Sequence, residues 1–246
     1  MPLPSRDFDP TETGVPWLEL TRRGHHVRFA TPDGRIAKAD PRMVHGTRLG
    51  PLKSLLRADK NAMAAYEAMV EDPAFKSPWD YTQATCQTID GLLLPGGHAR
   101  GMREYLESLT LQVLVARAFK RDIPVGAICH GVVLAARAQT EDGRSVLYGR
   151  KTTALTRNLE LTAWALTAAW LGNYYRTYSE TVQSEVTHAL ARGSDFKKGP
   201  LALRRDSPAN PEWGFTVRDG NYLSARWPGD AHRFAAEYAD LLDSVK

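Results

Sequence analysis

Residues 124–136 read PVGAICHGVVLAA. An apolar run stops at Cys129-His130-Gly131, and a second run with helical character begins. A short continuous apolar run bounded by turn residues is the pattern of a strand buried on both faces. Gly131 lets the backbone turn sharply, because no Cβ clashes there. The stretch therefore reads as strand, corner, helix, with a thiol and an imidazole at the corner. Upstream, TIDGLLLPGGH repeats the plan. A buried strand at Leu92–Leu94 ends in Pro95-Gly96-Gly97-His98, and a helix is predicted over roughly 102–120. Strand–helix alternation of this kind predicts an α/β fold, a parallel sheet with helices on both faces.

The pattern extends in both directions. Met1–Ser5 reads as the end of a short strand. Thr11 can cap a helix whose first turn carries Glu12, favourable beside the positive helix end. Pro16 belongs near a helix start and limits how far upstream that helix can begin. Arg22, Arg23 and Gly24 suit its end. HVRFATP alternates Val27 and Phe29 as a strand does, until Pro32-Asp33-Gly34 breaks it. Residues 35–80 are less regular, with a helical stretch at 61–72, and read as an insertion capping the sheet beside a pocket. Helices are predicted over 159–172 and 181–192, with a long loop at 193–212. Trp164 and Trp170 read as packing residues. Asp219-Gly220 suits a primed hairpin turn, and DAHRFAAEYADLL closes the chain as an amphipathic helix. No internal repeat or low-complexity segment occurs, and 1–246 reads as a single domain.

Composition narrows the function classes. The chain has 246 residues, 43% of them apolar and 24% charged, enough for a sizeable core. No apolar run approaches the roughly 18 residues of a membrane span, and MPLPSRDFDP lacks the apolar stretch of a signal peptide. A soluble, cytoplasmic protein is expected. The net charge is +4, but the basic pairs are scattered and not interleaved with aromatics, so no nucleic-acid partner is expected. The two cysteines, Cys86 and Cys129, belong to no CxxC pair and form no disulfide framework. Cys86 reads as structural. His25-His26 would point to opposite faces of a strand and cannot easily share one ion, so no metal and no cofactor are expected.

Cys129 carries the chemistry. A thiolate is the reactive form, and a helix N-terminus lowers a thiol's pKa. The strand-to-helix corner follows the logic of a nucleophile elbow. Ligands of open α/β sheets bind at the carboxyl ends of the strands. The 95–98 corner ends another strand at that edge, and the two corners together supply N–H groups for an oxyanion.

GLLLPGGHARGM, VGAICHG, PTETGVPWLEL…GHHVRFATPDG and VRDGNYLSARWPGDA together resemble the DJ-1/PfpI superfamily, and most closely its Hsp31-like branch. The resemblance runs from Arg6 to about Leu242 and is weaker in 40–80 and 172–212. It implies the class I glutamine amidotransferase-like, flavodoxin-type fold, here with a small helical insertion and a C-terminal hairpin. It implies Cys129 as nucleophile, Glu12 as the carboxyl that hydrogen-bonds it, and the Gly97 and His130 amides as an oxyanion hole beside Gly96. His130 is implied as the imidazole of a Cys-His-acid triad. The stretch KTTALTRNLE resembles the segment that carries the acid, which makes Glu160 the candidate. Asn158 is the neutral alternative. His98 is expected to line the pocket or to pack beside it. Two departures stand out. Only MPLPS precedes the DPTE-like segment, implying a very short central strand or a late start. Ala127 stands where amidotransferase elbows carry glycine, which weighs against glutamine hydrolysis.

The activity this resemblance implies is a cofactor-independent conversion of a small reactive carbonyl, methylglyoxal to lactate (glyoxalase III-like), in stress protection, by a homodimer. Two other readings stay open: a stress chaperone or redox sensor without essential catalysis, and a PfpI-like amidase or peptidase.

Overall fold

The structure is a computed structural model that describes residues 1–245. Strand β1 (Arg6–Phe8) leads into helix α1 (Pro10–Arg22). Asp9, not Thr11, is the N-cap: its carboxylate accepts the N–H groups of Thr11 (2.8 Å) and Glu12 (3.1 Å). Pro10 takes the first helical position, where its missing N–H is no loss. Pro16 lies inside the helix and not near its start. The helix tolerates it because both flanks are buried against other helices, which hold it in place.

Strands β2 (Ala30–Thr31), β3 (Lys38–Ala39) and β4 (Trp79–Asp80) are short. The strand expected over HVRFATP shrinks to two residues, Ala30 and Thr31 of β2. Between β3 and β4 lie α2 (Pro41–His45), α3 (Lys53–Leu56), α4 (Lys60–Glu71) and α5 (Pro73–Lys76). This 35–80 segment has two parts. Helix α4 packs on α1 within the main core. Met43 and Leu49 instead join Tyr175 in a second, small apolar cluster flanked by Leu56, Trp164 and Tyr174.

Next come α6 (Tyr81–Cys86), β5 (Leu92–Leu94), α7 (Met102–Leu106), α8 (Leu109–Lys120), β6 (Val125–Ile128) and α9 (Gly131–Arg137). The helix expected over 102–120 is two helices, because the Ser108 hydroxyl caps a new start at Leu111 N–H. Helices α10 (Arg157–Leu171) and α11 (Val182–His188) follow, then the hairpin β7 (Thr216–Asp219) and β8 (Tyr222–Ala225), then α12 (Ala231–Asp243). The hairpin pairs Asp219 with Tyr222, so its two-residue loop is Gly220-Asn221, one residue later than expected. Gly220 alone carries the positive φ, +60°, as a type II′ turn requires.

The main sheet runs β5-β6-β8-β7, parallel except for β7. Helix α9 lies on β5 and β6 and contacts α8 and α11, while α12 lies on β8 and against α1. Gly126 is the contact point with α12, its Cα facing Tyr238 and Phe234, so Val125 and Ala127 turn to the opposite face. The fold is therefore α/β with a buried, parallel-dominated sheet. Two further parallel pairs, β1–β3 and β2–β4, stand apart from it. The strand expected over Met1–Ser5 is reduced to one bridge, Pro2 to Ala30. Between this segment and β5, a cleft of about 340 Å³ opens, lined by Met1, Val27, Trp79, Leu92, Leu93 and Leu242.

Cys86 is exposed at the end of α6, so it has no core role. Trp164 is half-buried in the small cluster, and the indole N–H of Trp170 reaches Arg48 O at 2.9 Å. Among the described residues no helix is long and apolar enough to cross a membrane.

Candidate active site

The two glycine-bearing corners meet. Cys129 follows β6 with φ +57°, a left-handed conformation that strains any residue with a Cβ by on the order of 1–3 kcal/mol. Its N–H is held by Ala225 O at 3.0 Å, and α9 starts two residues on. Gly131 is obligatory: a Cβ there would lie 2.1 Å from Leu94 O. Gly96 is equally confined, since a Cβ would lie 2.6 Å from Glu12 Oε2 and 2.8 Å from His130 N. The PGGH corner, the CHG corner and the first turn of α1 thus converge on one point.

Glu12 is fully buried. Its Oε2 accepts the Gly96 N–H at 2.9 Å, while Oε1 has no hydrogen-bond partner. The carboxyl and the Cys129 thiol are neighbours that perturb one another, without an aligned hydrogen bond between them. Burial, then the charge of Asp9, pushes the Glu12 pKa well above the usual carboxylate range, which favours the protonated carboxyl. Cys129 is also fully buried. The expected acidification by the helix N-terminus does not win. Burial, then Glu12 and Asp9, push the thiol up, and the His130 N–H offsets this only in part.

The imidazole of His130 fixes its own tautomer. Nδ1 lies 3.5 Å from Cys129 Sγ, and Nε2 lies 3.0 Å from Thr177 Oγ1. The single Thr177 hydroxyl hydrogen is given to His98 O. Thr177 must therefore accept from Nε2–H, leaving the Nδ1 lone pair on the thiol. Burial, helped by His98 and Arg137, holds the ring neutral by pushing its pKa well below the usual value. Glu160 does not complete a triad. Its Oε2 accepts the Val182 N–H at 2.9 Å and Oε1 faces Arg176 at 3.3 Å. The carboxyl is drawn away because α10 presents it to the segment 176–182. It anchors that segment, which carries Thr177. Asn158 is absent from the His130 contacts as well.

Around these groups lie polar atoms that protein does not satisfy. The buried Gly97 N–H has no acceptor among the described residues. The His98 ring is 8% exposed and packs edge-on against His130 (5.4 Å) and Tyr175 (5.0 Å). Its Nδ1, Tyr175 Oη and Arg205 Nη1 are buried without partners. Arg205 also donates to Leu55 O and Leu56 O (3.2 and 3.3 Å), tying the 193–212 loop to α3. Buried orphan donors and acceptors beside a thiol are the groups a bound substrate would satisfy. Thr177, Tyr175 and Arg205 escaped the sequence reading. They sit in NYYRTYSE and ALRRDSP, which carry no period or spacing signal.

Chemically, this buried cluster can take a thiol proton on a neutral imidazole, hold an oxyanion on two amides and lend a proton from a carboxyl. A family model described as ThiJ/PfpI family-like matches residues 3–200. An uncharacterised protein of Schizosaccharomyces pombe, C14C4.04, is 31% identical over 99% of this chain and 83% of its own length. A second protein of that yeast, named glutathione-independent glyoxalase hsp3102, is 25% identical over 60% of this chain and 59% of its own. Among solved structures, that of glyoxalase III from Candida albicans superposes with a TM-score of 0.66. It is 18% identical over 95% of this chain and 87% of that one, a likeness of fold.

Proposed function

Since this chain belongs to the ThiJ/PfpI-like family, we propose that it is a cofactor-independent cysteine enzyme that converts methylglyoxal to lactate. The observation that carries the reading is the Cys129 thiol facing the Nδ1 lone pair of His130 at 3.5 Å, beside the buried carboxyl of Glu12. The glyoxalase name of the 25% identical yeast relative supports it.

The steps balance as follows. Cys129 Sγ bonds to the aldehyde carbon, and its proton passes through His130 Nδ1 to the carbonyl oxygen, giving a thiohemiacetal. The Gly97 and His130 amides hold that oxygen while it is charged. Nδ1 then removes the hydrogen from the former aldehyde carbon as Glu12 protonates the neighbouring ketone oxygen, forming an enediol. Return of the Nδ1 proton to the second carbon, and of the hydroxyl proton to Glu12, leaves a lactoyl thioester. Water cleaves it to lactate and restores the thiol. The resting thiol is neutral, so the reaction depends on Nδ1 rather than on a standing thiolate.

The test is lactate formation from methylglyoxal without added thiol. Wild type is expected to form lactate and Cys129→Ser to fall to background. Equal rates in the two would end the proposal.

A further inference from the structure

We propose that Cys129, His130 and His98 also form a binding site for a thiophilic divalent cation of the zinc type, which reversibly silences the nucleophile. Each residue offers one ligand atom, and the three atoms lie within 4.8 Å of one another in a buried cluster. They come from both corners, His98 from the end of β5 and the other two from the end of β6, so only the folded chain brings them together.

The donor set suits such an ion. One sulfur and two imidazole nitrogens are ligands that zinc accepts in tetrahedral sites. Both rings are neutral, and the tautomer of His130 already turns its Nδ1 lone pair toward the sulfur. With Zn–S near 2.3 Å and Zn–N near 2.0–2.1 Å, a tetrahedral ion wants sulfur and nitrogen about 3.6 Å apart. Cys129 and His130 already stand at 3.5 Å. The remaining ligand must move in by about an ångström, and His98 is free to do so. Its side chain makes no hydrogen bond among the described residues, and its Nδ1 is a buried orphan. Turning the ring onto a metal breaks no bond and satisfies an atom that otherwise carries a desolvation penalty. Outside the ligands, the Nε2–H of His130 is already fixed by Thr177, the outer support that metal-bound imidazoles ordinarily have. Asp9, buried at the start of α1, adds negative charge nearby.

Binding exchanges the thiol proton for the metal: an S–metal bond forms and the proton leaves to solvent. The lone pair that would attack a carbonyl is then held by the ion. Metal binding and carbonyl turnover are therefore mutually exclusive at Cys129.

The experiment uses Co²⁺ as a spectroscopic stand-in, added to metal-free protein. One equivalent should produce a thiolate-to-cobalt charge-transfer band, which Zn²⁺ should abolish by competition. Cys129→Ser should lose the band, and His98→Ala should weaken Co²⁺ binding at least about tenfold. In wild type, Zn²⁺ should block alkylation of Cys129 and leave Cys86 reactive, a readout that needs no variant. Absence of the band, its survival in Cys129→Ser, or unchanged affinity in His98→Ala would each overturn the site. None of these measurements depends on lactate formation, so the two proposals stand or fall separately.

Discussion

At the scale of single residues, the site turns on one hydroxyl. Thr177 gives its hydrogen to His98 O and so can only accept from His130. Replacing it by valine removes the acceptor that selects the Nε2–H tautomer, and a proton on Nδ1 would face the sulfur instead. Thr177→Val is expected to lower kcat for lactate formation by about 10²-fold, the lower end of what a positioned acid–base group contributes. Thr177→Ser should restore most of it. If valine and serine behave alike, Thr177 is only packing. Cys129 at an elbow and the corner glycines were legible in the sequence from backbone chemistry, whereas Glu12, by itself a helix-start acid, was picked out by the family resemblance. Thr177 was invisible because nothing in a local window marks which distant ring a hydroxyl will meet. Glu160 was picked out by the resemblance of KTTALTRNLE to the family's acid-bearing segment. An acid in the first turn of a helix looks available, and its actual partners, Arg176 and Val182, lie beyond that window.

At the scale of elements, the fold depends on how closely α9 can approach the end of β5. A methyl at residue 131 would stand 2.1 Å from Leu94 O, a backbone atom that cannot swing away. Gly131→Ala should destabilise the chain by about 1–3 kcal/mol, read as a lower urea midpoint, and should move Cys129 away from the Gly97 amide. Unchanged stability would mean that the contact relaxes freely. The strands of this region were readable, since β5 and β6 are uninterrupted apolar runs. The splitting of 102–120 was not, because Ser108 caps a second helix within a stretch that is apolar throughout. Nor was the loss of strand character at 25–29, which depends on whether a neighbour is present to pair with.

At the scale of the whole molecule, buried carboxyls set how stability follows pH. Burial raises the Glu160 pKa to about 7, against the Val182 N–H and Arg176, which lower it. Unfolded, the group titrates near 4.5. Below that value both states are protonated, and the group's contribution is fully present. As pH rises toward 7 the unfolded chain ionises first, so the contribution is lost. Comparing wild type with Glu160→Gln cancels the other titrating groups. The wild-type advantage in unfolding free energy should shrink by on the order of 2–3 kcal/mol between pH 4.5 and pH 8. A difference that stays constant, or grows, would show that Glu160 is ionised in the native state. The overall architecture was legible because strand–helix alternation constrains topology. The separation of 35–80 into a core helix, α4, and a part that joins Tyr175 in a second cluster was not, since the partners that divide it, α1 and Tyr175, lie outside the segment.

The sealing of Cys129 gives the molecule a clock. Its two thiols sit at opposite extremes, Cys86 exposed and Cys129 buried, so Cys86 is an internal reference for any alkylating reagent. Cys129 can react only during intervals of local opening, and the hydrogen bonds of Arg205 to Leu55 O and Leu56 O and of Trp170 to Arg48 O tie the 193–212 loop and α10 to the 48–56 segment. The ratio of the two labelling rates then reports the opening equilibrium, with each factor of ten equal to about 1.4 kcal/mol. Arg205→Ala should raise the Cys129 rate and leave that of Cys86 alone. A substrate of the proposed kind would wait for the same openings, so the reagent would time its entry as well.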